Sequence, residues 1–228
     1  MEEKISVDNV IIYLERKSIK NMYIRIYPPD GRVKMTVPKH TNIDTVRMFA
    51  VSRIDWINKQ RAIMLSRPIK VELQYVTGEY HYLWGIKYKL ELVEGTTNKA
   101  IIEDDKLILE AKKGASKEQR ERIVIEWYRE LLKEAIPSAL EKCSRIVGKS
   151  PNEWRVKNMR TRWGTCNPSK KRIWLNLQLV KKPPECLDYV ITHELVHLYV
   201  RNHDDRFKAY MDRFYPDWRK IKKLLNQE

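Results

Sequence analysis

The sequence predicts an α+β protein in which a strand-rich N-terminal part precedes a helix-rich C-terminal domain. Apolar and polar residues alternate with period two through much of the first 114 residues, which is typical of half-buried strands. After that point, long segments repeat apolar residues at three- and four-residue steps, as amphipathic helices do. We therefore predict a boundary near Gly114, with domains at residues 1–114 and 115–228.

Size and charge limit the classes of protein to consider. A chain of 228 residues with 43% hydrophobic residues can bury a substantial core, so we expect it to fold. Its 45 Lys and Arg against 30 Asp and Glu give a formal charge of +15, which attracts nucleic acid and other polyanions. Because the basic residues are spread along the whole chain, a merely solvated basic surface remains an equal alternative to nucleic-acid binding.

Neither export nor membrane insertion is expected. Residues 1–17 lack the basic start and apolar run of a signal peptide, and no segment reaches the roughly 20 apolar residues of a membrane span. Cys143, Cys166 and Cys186 are far apart and form no CxxC pair, which suits a reducing compartment. We expect a cytoplasmic protein whose cysteines are packing residues. The sequence does not indicate its oligomeric state.

The N-terminal part is predicted to contain hairpins and one helix. Its first third offers three strands of an antiparallel sheet, with the turn Pro-Asp-Gly at residues 29–31: VIIYLERK, NMYIRIYPP and GRVKMTVP. Residues 42–65 repeat apolar positions along one helical face. Shorter strands are then predicted in KVELQ, HYLWG, KYKLELVEG and KLILEA. We find no internal repeat.

The C-terminal domain begins with a helix start signal. Ser116 precedes Gln119 by three residues, a capping-box pattern at the head of a long helix that we expect to bend or break at Pro137. A polar loop, RTRWGTCNPSKK, then joins two predicted strands, EWRVKNM and RIWLNLQLV. The segment PPECLDYVITHELVHLYV predicts another helix, and two short helices, each led by a capping aspartate, follow it.

The segment ITHELVHLYVRNH, residues 191–203, holds three of the five histidines. Helical residues four apart differ by about 40° in rotation, so His193 and His197 share a face with Glu194 beside it. This HExxH spacing is typical of zinc sites in which the glutamate serves as general base. The alternative is a buried helix that carries imidazoles by chance, although uncharged histidines in so apolar a segment need partners.

His203, six residues after His197, is the predicted third metal ligand. Three protein ligands leave one position of Zn²⁺ open, which is the pattern of a catalytic site. Asn202 can adopt the left-handed turn that ends a helix and sends the chain back. Asp204 and Asp205 are rival ligands, but Asp204 is well placed to cap the next helix. Alternatively, His203 contacts only terminal carbonyls of the helix.

Two other aspects of the site follow from residue type. Imidazole ligands favour Zn²⁺, while such sites also accept Ni²⁺, Co²⁺ and Cu²⁺. His40 and His81 lie in the strand-rich part without acidic or sulfur neighbours at ligand spacing, so we predict that they are ordinary surface histidines.

The chain resembles the YgjP-like metal-dependent hydrolases, also called domain of unknown function 45, which are related to the SprT-type zincin metallopeptidases. The resemblance rests on MRTRWGTCNPSKKRIWLNLQLVKKPPECLDYVITHELVHL, followed by NHDDRF and YPDWRK. It implies a zincin-like C-terminal domain, His193, His197 and His203 as ligands, and Glu194 as general base. Position 204 is Asp where the family commonly has serine, which keeps the capping role.

The resemblance also implies a place for a peptide substrate. In such folds a strand beside the active-site helix can offer its edge to an extended peptide, and we predict that RIWLNLQLV is that strand. Arg162, Trp163 and Asn176 are the predicted substrate-contacting residues, although Trp163 serves equally well as packing for the hairpin.

Three functions remain open at this point. The first is a zinc-dependent metallopeptidase acting on a peptide or protein, which the basic surface could bring to nucleic acid. The second is a metal-dependent hydrolase of nucleotide phosphoanhydrides, against which the absence of a Gly-rich phosphate loop argues weakly. The third is a nucleic-acid-binding module with a structural zinc, against which the glutamate after the first histidine argues. Tyr199, Arg201 and Tyr210 are candidates for stabilising an oxyanion, and the sequence does not choose among them.

Overall fold

The structure, a computed structural model, describes residues 3–66 and 72–227. The chain divides into two compact units between Glu72 and Leu73. The predicted boundary at residues 114 and 115 falls inside the second unit. The described residues form a mixed α+β protein whose first half is rich in strands and whose second half is rich in helices.

The first unit is a four-stranded sheet followed by two helices. Its elements are β1 (Lys4–Val7), β2 (Val10–Lys17), β3 (Tyr23–Tyr27), β4 (Arg32–Pro38), α1 (Ile43–Val51) and α2 (Ile54–Leu65). The strand order is β1-β2-β4-β3, and the three predicted strands are confirmed as β2, β3 and β4. The predicted antiparallel pairing was wrong in part, because β4 lies between β2 and β3 and runs parallel to β2.

The core of the first unit lies between the sheet and its helices. Alternate residues of the strands are buried, including Ile12 and Met35, and they cluster with Val46, Ala50 and Ile57 of the helices. The helix predicted over residues 42–65 is two helices that break at residues 52–53, and the Asn42 side chain caps the first by accepting a hydrogen bond from Asp44 N. The other face of the sheet carries mainly polar and aromatic side chains, together with the exposed Ile11.

The second unit begins with another four-stranded sheet: β5 (Tyr80–Leu83), β6 (Ile86–Glu94), β7 (Lys99–Glu103) and β8 (Lys106–Ala111). Its order, β5-β6-β8-β7, and its antiparallel, parallel and antiparallel pairings repeat those of the first sheet. The sequence shows no matching repeat, so the likeness is one of topology. Within the predicted strand KVELQ, residues 70–71 lie outside the described residues, and residues 72–74 form no strand.

The long helix α3 (Lys117–Val147) packs against this sheet and the rest of the second unit. The Ser116–Gln119 capping box is confirmed at its start, and Gly148 ends it in the left-handed conformation at φ +73°. Pro137 lies inside one continuous helix, so the predicted interruption is wrong. Leu90, Leu107 and Leu109 of the sheet share a hydrophobic cluster with α3, which explains why the sheet belongs to this unit.

The remaining elements surround the histidine segment. They are β9 (Glu153–Lys157), β10 (Gly164–Asn167), β11 (Arg172–Asn176), α4 (Pro184–Val196), α5 (Asp205–Phe214) and α6 (Trp218–Asn226). The strand predicted in RIWLNLQLV ends at Asn176, because residues 177–181 turn into a 3-10 helix. The loop predicted in RTRWGTCNPSKK contains β10, which pairs with β11.

The two histidines of the strand-rich part differ in their exposure. His81 is buried rather than on the surface, since its side chain points into the core beside Tyr75, and burial lowers the pKa of its imidazole to about 4. His40 is exposed, as predicted. Among the described residues, no helix combines the length and apolar character that a membrane crossing requires.

Candidate metal centre and cleft

The candidate site is built on α4, the most deeply buried helix of the second unit. Pro184 starts this helix, and nine of its thirteen residues are buried. It contacts α3, α5 and α6 together with strands β10 and β11. Because α4 is packed on so many sides, its side chains occupy fixed positions, which a metal site requires.

After α4 the chain reverses and brings His203 back toward the helix. His197 is the residue that caps the C-terminal end of α4, and its Nδ1 lies 3.0 Å from the Val200 carbonyl oxygen. The hydroxyl of Tyr199 donates to the Val147 carbonyl at 2.8 Å, and its ring stacks on Tyr210 at 4.9 Å. These contacts hold the turn.

Two sequence predictions concern this reversal. The left-handed turn predicted at Asn202 does not occur, because Asn202 is not among the described residues with positive φ. The capping role predicted for Asp204 is confirmed, since its Oδ1 accepts from Phe207 N at 3.1 Å at the start of α5. Of the two tyrosines considered for an oxyanion, Tyr199 uses its hydroxyl to bond Val147, and Tyr210 stacks on the Tyr199 ring.

The three histidines of the segment converge. One ring nitrogen from each of His193, His197 and His203 lies within 4.8 Å of those of the other two. The Nε2 atoms of His193 and His203 are only 2.9 Å apart. Two ring nitrogens so close repel each other unless a proton or a cation lies between their lone pairs. The cluster is the one group of three or more ligand side chains found among the described residues.

The donor set fits a zinc ion. Two nitrogens bound to one tetrahedral Zn²⁺ are about 3.3 Å apart, given bonds of about 2.05 Å, and the 2.9 Å between the Nε2 atoms of His193 and His203 is close to that. The contact from His197 Nδ1 to Val200 O keeps the proton on Nδ1 and leaves Nε2 as the ligand atom. Burial, followed by the neighbouring imidazoles, lowers the pKa of His193 to about 3, so its ring is neutral, as a ligand must be.

Phe207, a residue to which the sequence analysis assigned no role, supports all three imidazoles. Its ring centroid lies 4.8 Å, 4.9 Å and 4.6 Å from those of His193, His197 and His203. Phe207 is buried on α5, directly after the reversal. Its position in NHDDRF was visible in the sequence, but the contact depends on the turn that folds α5 back onto α4.

Glu194 lies beside the triad and is almost completely buried. Burial raises the pKa of its carboxyl to about 8, and the positive charge of Arg162 partly opposes that shift. Gly164 of β10 makes the close approach of strand and helix possible. A Cβ at Gly164 would lie 2.6 Å from Glu194 Oε1 and 2.9 Å from Val190 Cγ1.

A cleft of about 1050 Å³ opens over the triad and is lined by residues 161–169 of the β10 region, by α4, by the turn after α4 and by α6. Its lining includes Arg162 and Trp163, as predicted from the sequence. The indole Nε1 of Trp163 donates to Asn226 Oδ1 at 3.2 Å, so the ring also joins this loop to α6. Among the described residues, the cleft is lined by Arg162, Arg201 and Lys222, and Glu194 is its one acidic residue.

Asn176 does not line the cleft. It is 4% exposed, and its amide nitrogen donates to the carbonyls of Met159 at 3.0 Å and Arg162 at 2.7 Å. Its Oδ1 accepts from the backbone N–H groups of Met159 and Gln178. This bonding does not favour the predicted substrate contact. It indicates that Asn176 holds the loop that carries Arg162.

Asn176→Ala is expected to lower the free energy of unfolding by about 1–3 kcal/mol, because it strands buried backbone groups without partners. Asn158→Ala is the matched control, since that exposed amide bonds only to the side chain of Gln178. The control should stay within about 0.5 kcal/mol of the parent chain in urea titrations followed by circular dichroism. Equal stability of both variants would show that the Asn176 bonds contribute nothing.

The cysteines behave as predicted. Cys143, Cys166 and Cys186 are all free thiols. Cys166 lines the cleft, but burial, followed by the nearby Glu194, raises the pKa of its thiol to about 11. A protonated thiol is a poor nucleophile, so Cys166 has a packing role.

Several cleft residues were missed because they approach from distant parts of the chain. Lys222, Leu225 and Asn226 belong to α6, and no local sequence pattern points to them. Tyr189 could have been found, since it lies four residues before His193 on the same helical face, and its ring meets the His193 ring edge-on at 6.0 Å.

Two solved structures of metallopeptidase zymogens resemble part of the chain. The metallopeptidase zymogen abylysin of Pyrococcus abyssi, known from a crystal structure, is 19% identical in sequence to this chain. The match covers 40% of this chain and 90% of that chain, with a TM-score of 0.37. The zymogen of jannalysin from Methanocaldococcus jannaschii is 20% identical, with 40% and 87% covered and a TM-score of 0.35. No curated protein matches the chain.

The family comparison covers nearly the whole chain. Residues 20–228 match the family described as YgjP-like, metallopeptidase domain. This range includes the triad, Glu194 and every element of the second unit. The chain therefore belongs to the YgjP-like metallopeptidase family.

Proposed function

We propose that this protein is a zinc-dependent metallopeptidase of the zincin type, with His193, His197 and His203 as ligands and Glu194 as general base. The observation that carries the proposal is the convergence of three imidazole nitrogens, within 4.8 Å of one another, beside a buried carboxyl in a cleft. Membership of a metallopeptidase family supports a divalent metal there.

The three histidines would hold the ion and leave room for substrate on the cleft side. When bound, Zn²⁺ polarises the scissile carbonyl and makes water a stronger nucleophile near neutral pH. The chain's own contribution is to fix the ligands: Val200 O orients His197, and Phe207 packs against all three rings.

Glu194 would move the proton. A cation held by the three histidines would favour its charged form, and that carboxylate would take a proton from the attacking water and pass it to the nitrogen of the leaving amine. One residue would then serve both halves of the hydrolysis. The position of Glu194, next to His193 in sequence and facing β10, supports this role. Burial beside the cleft strengthens its interaction with the reacting groups, because little water screens them.

The substrate peptide would lie along β10. We predicted that RIWLNLQLV offers the free edge, but β11 is the central strand of its sheet and is paired on both sides. Among the described strands, β10 pairs only with β11, and all four of its residues line the cleft. An extended peptide could therefore add to β10 as a further antiparallel or parallel strand.

A second candidate function is hydrolysis of nucleotide phosphoanhydrides at the same metal site. The observation that favours it is the set of three cations at the cleft, Arg162, Arg201 and Lys222, which could bind phosphates. The peptidase remains the better proposal, because the free edge of β10 provides backbone groups that suit a peptide.

The experiment that separates the two functions uses one preparation of the full chain loaded with zinc. We expect it to cleave a mixed library of unstructured peptides, as read by mass spectrometry, and to leave nucleoside triphosphates intact. Cleavage should stop with a zinc chelator and return when zinc is added back, because the ion is required for turnover. Hydrolysis of the triphosphates without peptide cleavage would replace the proposal by the second candidate.

A further inference from the structure

The first sheet presents an exposed face that its two helices do not cover. The helices pack on the face that carries Ile12 and Met35. The opposite face, called here the outer face, carries every second residue of each strand. These are residues 4 and 6 of β1, 11, 13, 15 and 17 of β2, 23, 25 and 27 of β3, and 32, 34, 36 and 38 of β4. Three tyrosines lie on it, Tyr13, Tyr23 and Tyr27, of which the last two are 51% and 39% exposed.

The register of the sheet places cations between these rings. Lys4 is opposite Tyr13, Tyr13 is opposite Lys34, and Lys34 is opposite Arg25, so one row across all four strands holds three cations and a tyrosine. Along β3 the side chains alternate as Tyr23, Arg25 and Tyr27. Rings and guanidinium therefore alternate along β3, and across the sheet the Tyr13 ring lies between two lysines.

Two further cations complete the outer face. The Arg32 guanidinium lies 3.9 Å from the centre of the Tyr13 ring, which shows that this ring accepts a planar group on its surface. Lys17 lies at the end of β2. Glu15 is the one carboxylate on the outer face, and it forms ion pairs with Lys17 at 3.0 Å and Lys34 at 3.2 Å.

The second sheet gives an internal comparison, because it has the same topology. Its equivalent face carries two exposed tyrosines, Tyr80 and Tyr82, and several lysines, but also three carboxylates: Glu91, Glu103 and Glu110. Glu91 pairs with Lys106 at 2.8 Å, and Glu110 pairs with Lys99 at 3.3 Å. Its charges are largely balanced, whereas the outer face of the first sheet is strongly positive.

We propose that the outer face of the first sheet binds single-stranded nucleic acid. Base rings would stack on Tyr23 and Tyr27, while Arg25 and the neighbouring cations would contact phosphates. Sheets that bind single strands combine these same two features, aromatic rings on exposed strands and a positive groove or face. The binding site is separate from the cleft residues, and the inference does not depend on the peptidase proposal.

The tyrosines decide between this ligand and other anions. An anionic lipid surface or an acidic protein would be attracted by the cations alone, and neither needs exposed rings at alternate positions. Double-stranded nucleic acid hides its bases from stacking, so it could use only the phosphate contacts. A single strand offers both an exposed ring and a charge in each nucleotide.

The test measures the fluorescence anisotropy of a labelled single-stranded DNA as the full chain is added. The DNA has a mixed sequence of about 20 nucleotides, which is long enough to cover an exposed sheet face. We expect binding that weakens as salt increases. Tyr23→Ala combined with Tyr27→Ala should weaken it at least about tenfold, because stacking is lost. The matched control, Tyr80→Ala with Tyr82→Ala, should stay within about twofold because that face is not the proposed site.

Heparin, a polyanion without bases, separates stacking from charge. Arg25→Glu should weaken binding of both heparin and the single strand, whereas the Tyr23 and Tyr27 double variant should weaken only the single strand. Lys89→Glu on the second sheet is the matched charge control. Circular dichroism checks that each variant is folded.

Three outcomes would overturn the proposal. These are no binding by the parent chain, equal losses from the two tyrosine pairs, or a tyrosine double variant that binds the single strand as tightly as the parent. If heparin and polyglutamate displace the labelled strand as well as unlabelled DNA does, and the tyrosine substitutions do not change its binding, the outer face is only a basic surface.

Discussion

Glu194→Gln is expected to keep the metal content of the purified protein at the parent value and to lower peptide turnover by about 100-fold to 10,000-fold, the usual contribution of a general base. The amide has nearly the same size as the carboxyl, so the buried position beside Gly164 is still filled. It cannot accept a proton from water, however. Metal content is measured by mass spectrometry on protein purified without a histidine tag. Turnover is measured with the peptide that the parent chain cleaves fastest.

The companion variants are expected to lose the metal itself. His193→Ala and His203→Ala each remove one of the three nitrogens that converge within 4.8 Å, and two remaining imidazoles do not hold zinc tightly. His40→Ala is the control, because His40 is exposed and belongs to the first unit. It should retain both zinc and activity.

Three results would contradict this assignment. Full activity of Glu194→Gln would require another general base. Zinc retained by His203→Ala would mean that a neighbouring residue such as Asp204 or Asp205 completes the site, although Asp204 is engaged as the cap of α5. A parent protein that carries no zinc under conditions that preserve it would remove the basis for the metallopeptidase proposal.

The sequence was most informative where function depends on residues close in the chain. His193, Glu194 and His197 lie within one helical turn, so the period of the helix alone places them together. His203 required a chain reversal, and its residue type indicated its role although the expected turn at Asn202 does not form. Lys222 and Asn226 come from α6, 19 and 23 residues after His203, and only tertiary packing brings them to the cleft.

The distinction between local pattern and tertiary packing also explains the errors in the predicted fold. Alternation identified β2, β4 and β6, because each has one buried and one exposed face. Alternation does not encode the direction of pairing, so the parallel pair of β2 and β4 could not be predicted. The strand β10 is only four residues long and contains glycine, so it looked like a loop. It is the pairing with β11 and the packing on α4 that make it a strand.

Under the proposed mechanism, Gly164 is the residue at which that packing matters most. Its missing side chain lets β10 approach α4 so closely that a Cβ would lie 2.6 Å from Glu194 Oε1 and 2.9 Å from Glu194 Cγ and Val190 Cγ1. None of these atoms can easily move, because Glu194 and Val190 are buried on a helix packed on several sides. Since β10 is tied to β11 by its pairing, the added methyl group must displace either the strand or the Glu194 carboxyl.

Gly164→Ala is therefore expected to lower peptide turnover by about 100-fold, the effect of moving a catalytic group by about 1 Å. Zinc content should be unchanged, since the close contacts of a Cβ there include no histidine atom. Gly95→Ala is the matched control: its Cβ would also press on a carboxylate side chain, that of Glu110, but outside the cleft lining. The control should be less stable than the parent chain but keep the parent turnover. Turnover is measured well below the melting temperatures of the parent and of the variant. Parent-like turnover of Gly164→Ala would mean that Glu194 does not need its observed position, and the assignment of Glu194 as general base would fall with it.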